Sequence, residues 1–235
     1  MLTHEQINNA KPILFITEMV KAVLDGRKTQ FRLPIKLKDN SLICTGYIFS
    51  STDRKRNDCY SFGKNKECDL EYVKPKYKVG DILWAREPVK ILNYMDYDAH
   101  FEITYQFLGG FVWSLTKEDL INEHKLTEDE FENKYLSKSY MENKQKVPGG
   151  CLKEMARIFL KVTNIRVERL QDISDEDCTK EGRLSLRKLC ESVPDFDETL
   201  TDNDLWQILW DSTVKDGYKY LDNPYVFVYE FERIK

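Results

Sequence analysis

Residues 25–32 read DGRKTQFR, which puts a glycine, three cations, a threonine, a glutamine and an aromatic ring into eight positions. Arginine presents a planar fork of donors, lysine a point charge, and glutamine both a donor and an acceptor. Arg27, Lys28, Gln30 and Arg32 are therefore candidates to grip a phosphate or a base edge, with Gly26 and Thr29 in the same turn. A helix ending just before this stretch would favour Arg27 and Lys28 by about 0.3–1 kcal/mol each through its partial negative charge. That local effect accounts for the first two cations but not for the Thr29, Gln30 and Arg32 that follow. Phe31 could give a nucleobase a stacking surface worth about 1–3 kcal/mol, or pack in a core; both roles stay open here.

The turn must be held by its flanking elements. Ile13–Ile16 is an apolar run, and Met19, Val20, Val23 and Leu24 then recur on one helical face, with Gly26 where a helix C-cap belongs. The stretches 41–49, 81–86, 101–108, 157–170 and 225–234 read as strands from their alternating or continuous apolar character. Ser174 and Asp177 resemble a capping box opening SDEDCTKE, which Gly182 closes, and Leu205, Ile208 and Leu209 form the stripe of a second short helix over 205–214. On the strand at 81–86, Trp84 and Arg86 share a face next to Glu87, as a core tryptophan with a rim ion pair or as further ligand contacts.

The basic stretch 51–66 reads as a polar loop, although its cations and aromatics are also those of single-strand binders. The charged block 117–146 reads as a partly helical, solvated insertion, and Gly109-Gly110, Gly149-Gly150 and Asn223-Pro224 read as turns. The expected architecture is a single α+β domain over 1–235, a strongly bent mixed sheet with flanking helices and insertions near 50–70 and 114–150.

Composition narrows the chemistry. With 36 Lys and Arg against 40 Asp and Glu, the net charge of -4 would not draw in a nucleic-acid backbone, so any such contact must be a local patch. Six scattered cysteines without a C-x-x-C pair, and only three histidines, argue against a zinc site and for reduced thiols. No cofactor or metal is expected. No apolar run approaches the roughly 18 residues of a membrane span, so the expectation is a soluble, cytoplasmic protein with no membrane partner.

Several segments carry a family resemblance: PILFITEMVKAVLDGRKTQFR (12–32), YKVGDILWARE (77–87), ARIFLKVTNIRVERLQDISDEDCTKEG (156–182), LWQILWDS (205–212) and NPYVFVYEFERI (223–234). In this order they resemble the ASCH-domain proteins, relatives of the PUA RNA-binding domain, and particularly the members encoded by phages and prophages. The resemblance implies a PUA-like mixed β-barrel with helices packed around a cleft, and, for a phage protein, residence in the host cytoplasm. The family signature is G-x-K-x-x-T-x-R. Gly26 and Lys28 match it, and Glu181 in KEG matches a downstream glutamate. The threonine position falls on Phe31 and the last arginine on Leu33.

In members that hydrolyse acylated cytidine, the resemblance implies a lysine base, a threonine nucleophile and that glutamate. A phenyl ring has no hydroxyl, so such a mechanism cannot run through residue 31. Thr29 adjoins Lys28 and would point to the opposite side of an extended chain. The leading expectation is thus binding of RNA or a modified nucleoside in a cleft lined by residues 26–32. The alternative is an enzyme of the same cleft, an N4-acylcytidine amidohydrolase or a ribonuclease, using Lys28 and Glu181 as catalytic residues. A ribonuclease could use the RNA 2′-hydroxyl as nucleophile. A third expectation is a phage protein that binds a host protein through its acidic insertion.

Overall fold

A computed structural model describes residues 2–48, 51–88, 90–97, 100–106, 112–124, 127–130, 153, 156–182 and 199–235. In chain order its elements are α1 (His4–Asn9), β1 (Lys11–Leu14), α2 (Thr17–Leu24), β2 (Gln30–Pro34), β3 (Ile43–Ile48), β4 (Cys59–Asn65), β5 (Cys68–Val73), β6 (Ile82–Arg86), β7 (Lys90–Tyr97), β8 (His100–Gln106), β9 (Val112–Thr116), α3 (Lys117–His124), β10 (Phe159–Arg169), α4 (Asp175–Lys180), α5 (Asp202–Thr213) and β11 (Tyr225–Arg233). The fold is α+β, and its strands do not close into a barrel among the described residues.

The chain forms two compact units, each built from separated segments. One comprises Ala22–Ile82 with Leu160–Ile234, and the other Thr3–Lys21 with Leu83–Phe159. Because the boundaries fall inside continuous elements rather than in a Gly- or Pro-rich linker, composition gives no sign of them.

In the first unit β11 lies between β10 and β2, antiparallel to both. Its sequence YVFVYEFER is apolar on both sides of the pleat, as a strand covered on both faces requires. Val226 and Val228 face a cluster made with Leu170, Cys178 of α4, and Trp206 and Trp210 of α5. On the opposite face the Tyr229 ring stacks on Phe31, with centroids 4.9 Å apart, and Tyr77 meets both edge-on. Burial pushes the Tyr229 hydroxyl up to about 12.

The loop expected at 51–66 is largely structured: a single 3₁₀ turn at Arg54–Arg56 leads into β4, which pairs with β3 and β5. Polar residues obscure an alternation that becomes clear in the packing. Tyr60 and Phe62 point to one side and meet Phe227 and Tyr225 edge-on. Gly63 sits at a bulge where an added Cβ would lie 1.6 Å from the Cys68 carbonyl oxygen, so only glycine allows that approach.

In the second unit β1 runs parallel to β6, and β7, β8 and β9 form an antiparallel meander followed by α3. The helical expectation for 117–146 is met by α3 and by a turn at 128–130; residues 131–146, and both Gly-Gly pairs, lie outside the described residues. Among the described residues no helix is long and apolar enough to cross a membrane. Cys44, Cys59, Cys68 and Cys178 form no disulfides, and Cys151 and Cys190 lie outside the described residues.

Candidate functional site

α2 ends at Leu24, and Gly26 takes a positive φ of 72°, which reverses the chain as expected for a glycine after a helix. The Arg27 and Lys28 amides both donate to the Ala22 carbonyl. Lys28 then forms an isolated antiparallel bridge with Glu181, the residue that caps α4. Gly182 makes that approach possible. Its φ is +88°, and an added Cβ would lie 2.7 Å from the Ala22 Cβ and 3.3 Å from the Lys28 Cβ.

From this bridge, side chains two residues apart project toward α4. Lys28 Nζ lies 2.8 Å from Glu181 Oε2 and also donates to the Glu181 carbonyl at 3.1 Å. Arg32 Nη1 reaches Glu181 Oε1 at 2.8 Å, so one carboxylate bridges two cations. The Lys28, Arg32 and Glu181 side chains are 1 %, 0 % and 7 % exposed. Arg32 further binds Glu168 at 2.6 Å and Asp177 at 2.9 Å, with Trp206 5.9 Å from its guanidinium carbon. Arg166 completes the network through Glu168, Asp177 and Glu230.

Burial would push the Arg32 guanidinium down, but Glu181 and Glu168 outweigh it and hold it above its ordinary value. Burial likewise opposes ionisation of Asp177, yet Arg166 and Arg32 keep its carboxyl below the usual range. Three cations thus face four carboxylates in a network whose core is dry.

Gln30 lies between the two cations in sequence and is fully buried. Its Nε2 donates to the Asp177 carbonyl at 3.2 Å, which fixes the orientation of the amide because the oxygen cannot face another carbonyl. Gln30 Oε1 is left as the buried side-chain acceptor without a hydrogen-bond partner among the described residues. A buried acceptor in that condition costs about 1–3 kcal/mol and marks a place where a donor belongs.

The structure brings together Lys28, Gln30, Arg32 and Glu181 but not the whole predicted set. Arg27 is half-buried and pairs with Asp25 at 2.6 Å. Thr29 is exposed, and its backbone bonds Lys180 and Phe231. Of the two roles open to Phe31, the structure shows core packing: the ring is 5 % exposed and stacked on Tyr229, on the side of β2 opposite Arg32, rather than offering a face to a base. Trp84, Arg86 and Glu87 belong to the second unit. Trp84 is buried, Arg86 is exposed, and Glu87 is fully buried with both oxygens held by Arg157 at 3.0 and 2.8 Å.

Sequence reasoning missed Arg166, Glu168 and Glu230, whose period-two placement on β10 and β11 was the available signal. It assigned Asp177 to a capping box, but only half of the box forms. Ser174 accepts the Asp177 amide while the Asp177 carboxylate turns to Arg32 and Arg166. Among the described residues no group of three or more His, Cys, Asp or Glu is placed to hold a metal ion. No family model, curated protein or solved structure matches this chain.

Proposed function

We propose that this chain binds a nucleoside or a short RNA segment at the seam between β2 and α4, with Lys28, Gln30 and Glu181 as the groups that meet it. The unpartnered Gln30 Oε1 carries the proposal: the seam holds an oriented, buried acceptor beside an ion pair. The amino or imino edge of a nucleobase supplies a donor of that kind, while Lys28 and Glu181 hold the adjoining wall of the seam as an ion pair. The ASCH-like signature and the PUA-like architecture it implies belong to the same proposal.

Hydrolysis of acylated cytidine through residue 31 is not favoured. Its side chain lies in the aromatic cluster on the other face of β2, so even a hydroxyl there would not adjoin Lys28. Ribonuclease chemistry is the second reading, in which the RNA 2′-hydroxyl attacks its own phosphate, Glu181 takes the hydroxyl proton and Lys28, 2.8 Å away, gives a proton to the departing 5′ oxygen.

The test is equilibrium dialysis with cytidine, N4-acetylcytidine and a labelled RNA, with product analysis in each arm. Saturable retention without product is expected. Lys28→Met should weaken it by about 10- to 150-fold, the worth of one charged hydrogen bond. Product that disappears in Lys28→Met would instead establish the enzyme, and no retention of any ligand would refute both.

A further inference from the structure

A second feature of the first unit lies on the β3–β4 ribbon. Tyr47 and Tyr60 are register partners across this pair, with ring centroids 5.0 Å apart and planes at 53°. With Asp58, Pro75, Lys78 and Ile165 they line an open groove of about 420 Å³, within the range of about 300–1,000 Å³ typical of small-ligand sites. The two tyrosines differ in freedom. The Tyr60 hydroxyl donates to the Ile165 carbonyl at 3.1 Å and its ring meets Phe227 edge-on, so it is fixed as a wall. Tyr47 is 49 % exposed.

Asp58 gives the groove polarity. It adopts a left-handed φ of 57°, uncommon for a residue other than glycine. Its Oδ2 accepts from Lys78 Nζ at 2.6 Å and its Oδ1 from the Tyr47 hydroxyl at 3.3 Å. Lys78 holds the Asp58 carboxyl below the usual carboxylate range, so at neutral pH it acts only as an acceptor. A carboxylate has about four lone-pair positions, and two remain for further donors. Lys74, Lys76 and Lys78 are all exposed along the segment that borders the groove, a local positive run in a chain of net charge -4.

We propose that this groove takes one base of a single-stranded nucleic acid: the base lies on the Tyr47 ring, its N–H edge donates to Asp58, and the adjoining phosphates meet Lys74 and Lys78. An aromatic face combined with lysines is what sequence-tolerant single-strand binding requires, since every base has a π-face and every nucleotide a phosphate. The carboxylate adds a preference for bases with amino or imino hydrogens beside one another. This site does not involve Lys28 or Gln30.

Fluorescence anisotropy with an unstructured 12-nucleotide RNA, the same sequence as DNA, and a duplex control tests the proposal. Both single strands should bind more tightly than the duplex, and an RNA excess over DNA would assign the source of the strand. Tyr47→Ala should weaken single-strand binding by about 5- to 150-fold, and Tyr47→Phe should stay within about twofold. Tyr47→Leu keeps apolar bulk against Tyr60 without an aromatic ring, and serves as the test should Ala unfold the ribbon. A 4-thiouridine-substituted RNA should photocrosslink to a peptide containing Tyr47 or Tyr60, and should still do so in Lys28→Met. Conversely, Tyr47→Leu should leave the nucleoside retention that Lys28→Met removes unchanged, which separates this site from the Lys28 seam. Unaltered affinity in both Tyr47→Ala and Tyr47→Leu, a crosslink elsewhere, no binding of either strand, or binding of a proline-rich peptide in place of nucleic acid would overturn the proposal.

Discussion

Replacing Glu181 by glutamine removes the one negative charge that Lys28 and Arg32 share. Both contacts are 2.8 Å, and the Lys28 and Arg32 side chains are 1 % and 0 % exposed. Loss of one partner from a buried ion pair costs about 3–5 kcal/mol, since an uncompensated charge remains. Arg32 keeps Glu168 and Asp177, and Lys28 keeps the Glu181 backbone carbonyl, so the cost should fall near the lower bound, about 3 kcal/mol. Lys28→Met removes the other charge but leaves Glu181 paired with Arg32, for a loss of about 2 kcal/mol. In the double variant neither lone charge remains. The two changes should therefore fall short of additivity by about 2 kcal/mol, within the 0.5–3 kcal/mol seen for residues in contact. Urea denaturation followed by tryptophan fluorescence reads this directly, since Trp206 lies beside Arg32. With an m-value of about 2 kcal/mol/M, Glu181→Gln should lower the midpoint by about 1.5 M. A loss under about 1 kcal/mol, or additivity within about 0.5 kcal/mol, would refute a dry Lys28–Glu181–Arg32 core.

Phe31→Thr, which supplies the threonine that the ASCH signature carries at that position, should cost about 3–5 kcal/mol by opening the cluster around Tyr229, and should yield no release of acetate from N4-acetylcytidine; a gain of hydrolysis would contradict the assignment of residue 31 to the opposite face. Asp177 is held below the ordinary carboxylate range, so its contribution is complete above the unfolded value near 3.9 and is lost as pH falls through the folded one. Asp177→Asn should flatten the acid limb of urea midpoints below about pH 4, and an unchanged limb would contradict the pairing with Arg166 and Arg32. Tyr229 behaves in the opposite sense. Its hydroxyl is raised to about 12, so its contribution is present below the unfolded value near 10 and declines as pH rises from there toward 12. Tyr229→Phe should make the alkaline limb shallower, at a fixed loss of about 1 kcal/mol for the bond from the Lys76 amide.

The elements that sequence reveals here are those whose pattern is local. The strands β3, β6, β8, β10 and β11, the Ser174 cap of α4 and the α5 stripe were legible because apolar spacing and cap chemistry act within a few residues. β4 was not, because its half-buried Tyr60 and buried Phe62 are set among Asp, Arg, Lys and Asn, and its packing partners lie more than 150 positions away on β11. The meeting of Lys28 with Glu181 was expected only through family likeness, since no spacing rule links residues 153 positions apart. Arg166, Glu168 and Glu230 were hidden for the same reason. Each looks like an ordinary solvated charge until β10, β11 and β2 are set side by side. Phe31 shows where pattern leaves a choice open: in a turn of donors its ring could stack on a ligand or pack in a core, and the strand's alternation turns it into the core.

The side-chain amide of Gln30 gives the most direct test of the proposed seam. Its two amide protons, assigned by their loss in Gln30→Leu, can be followed by ¹⁵N NMR as cytidine, N4-acetylcytidine or a short RNA is added. A saturable shift of this amide with at least one of these ligands is predicted, because a donor reaching Oε1 polarises the whole group. Saturable binding that leaves the Gln30 amide unmoved, or no binding at all, would contradict it.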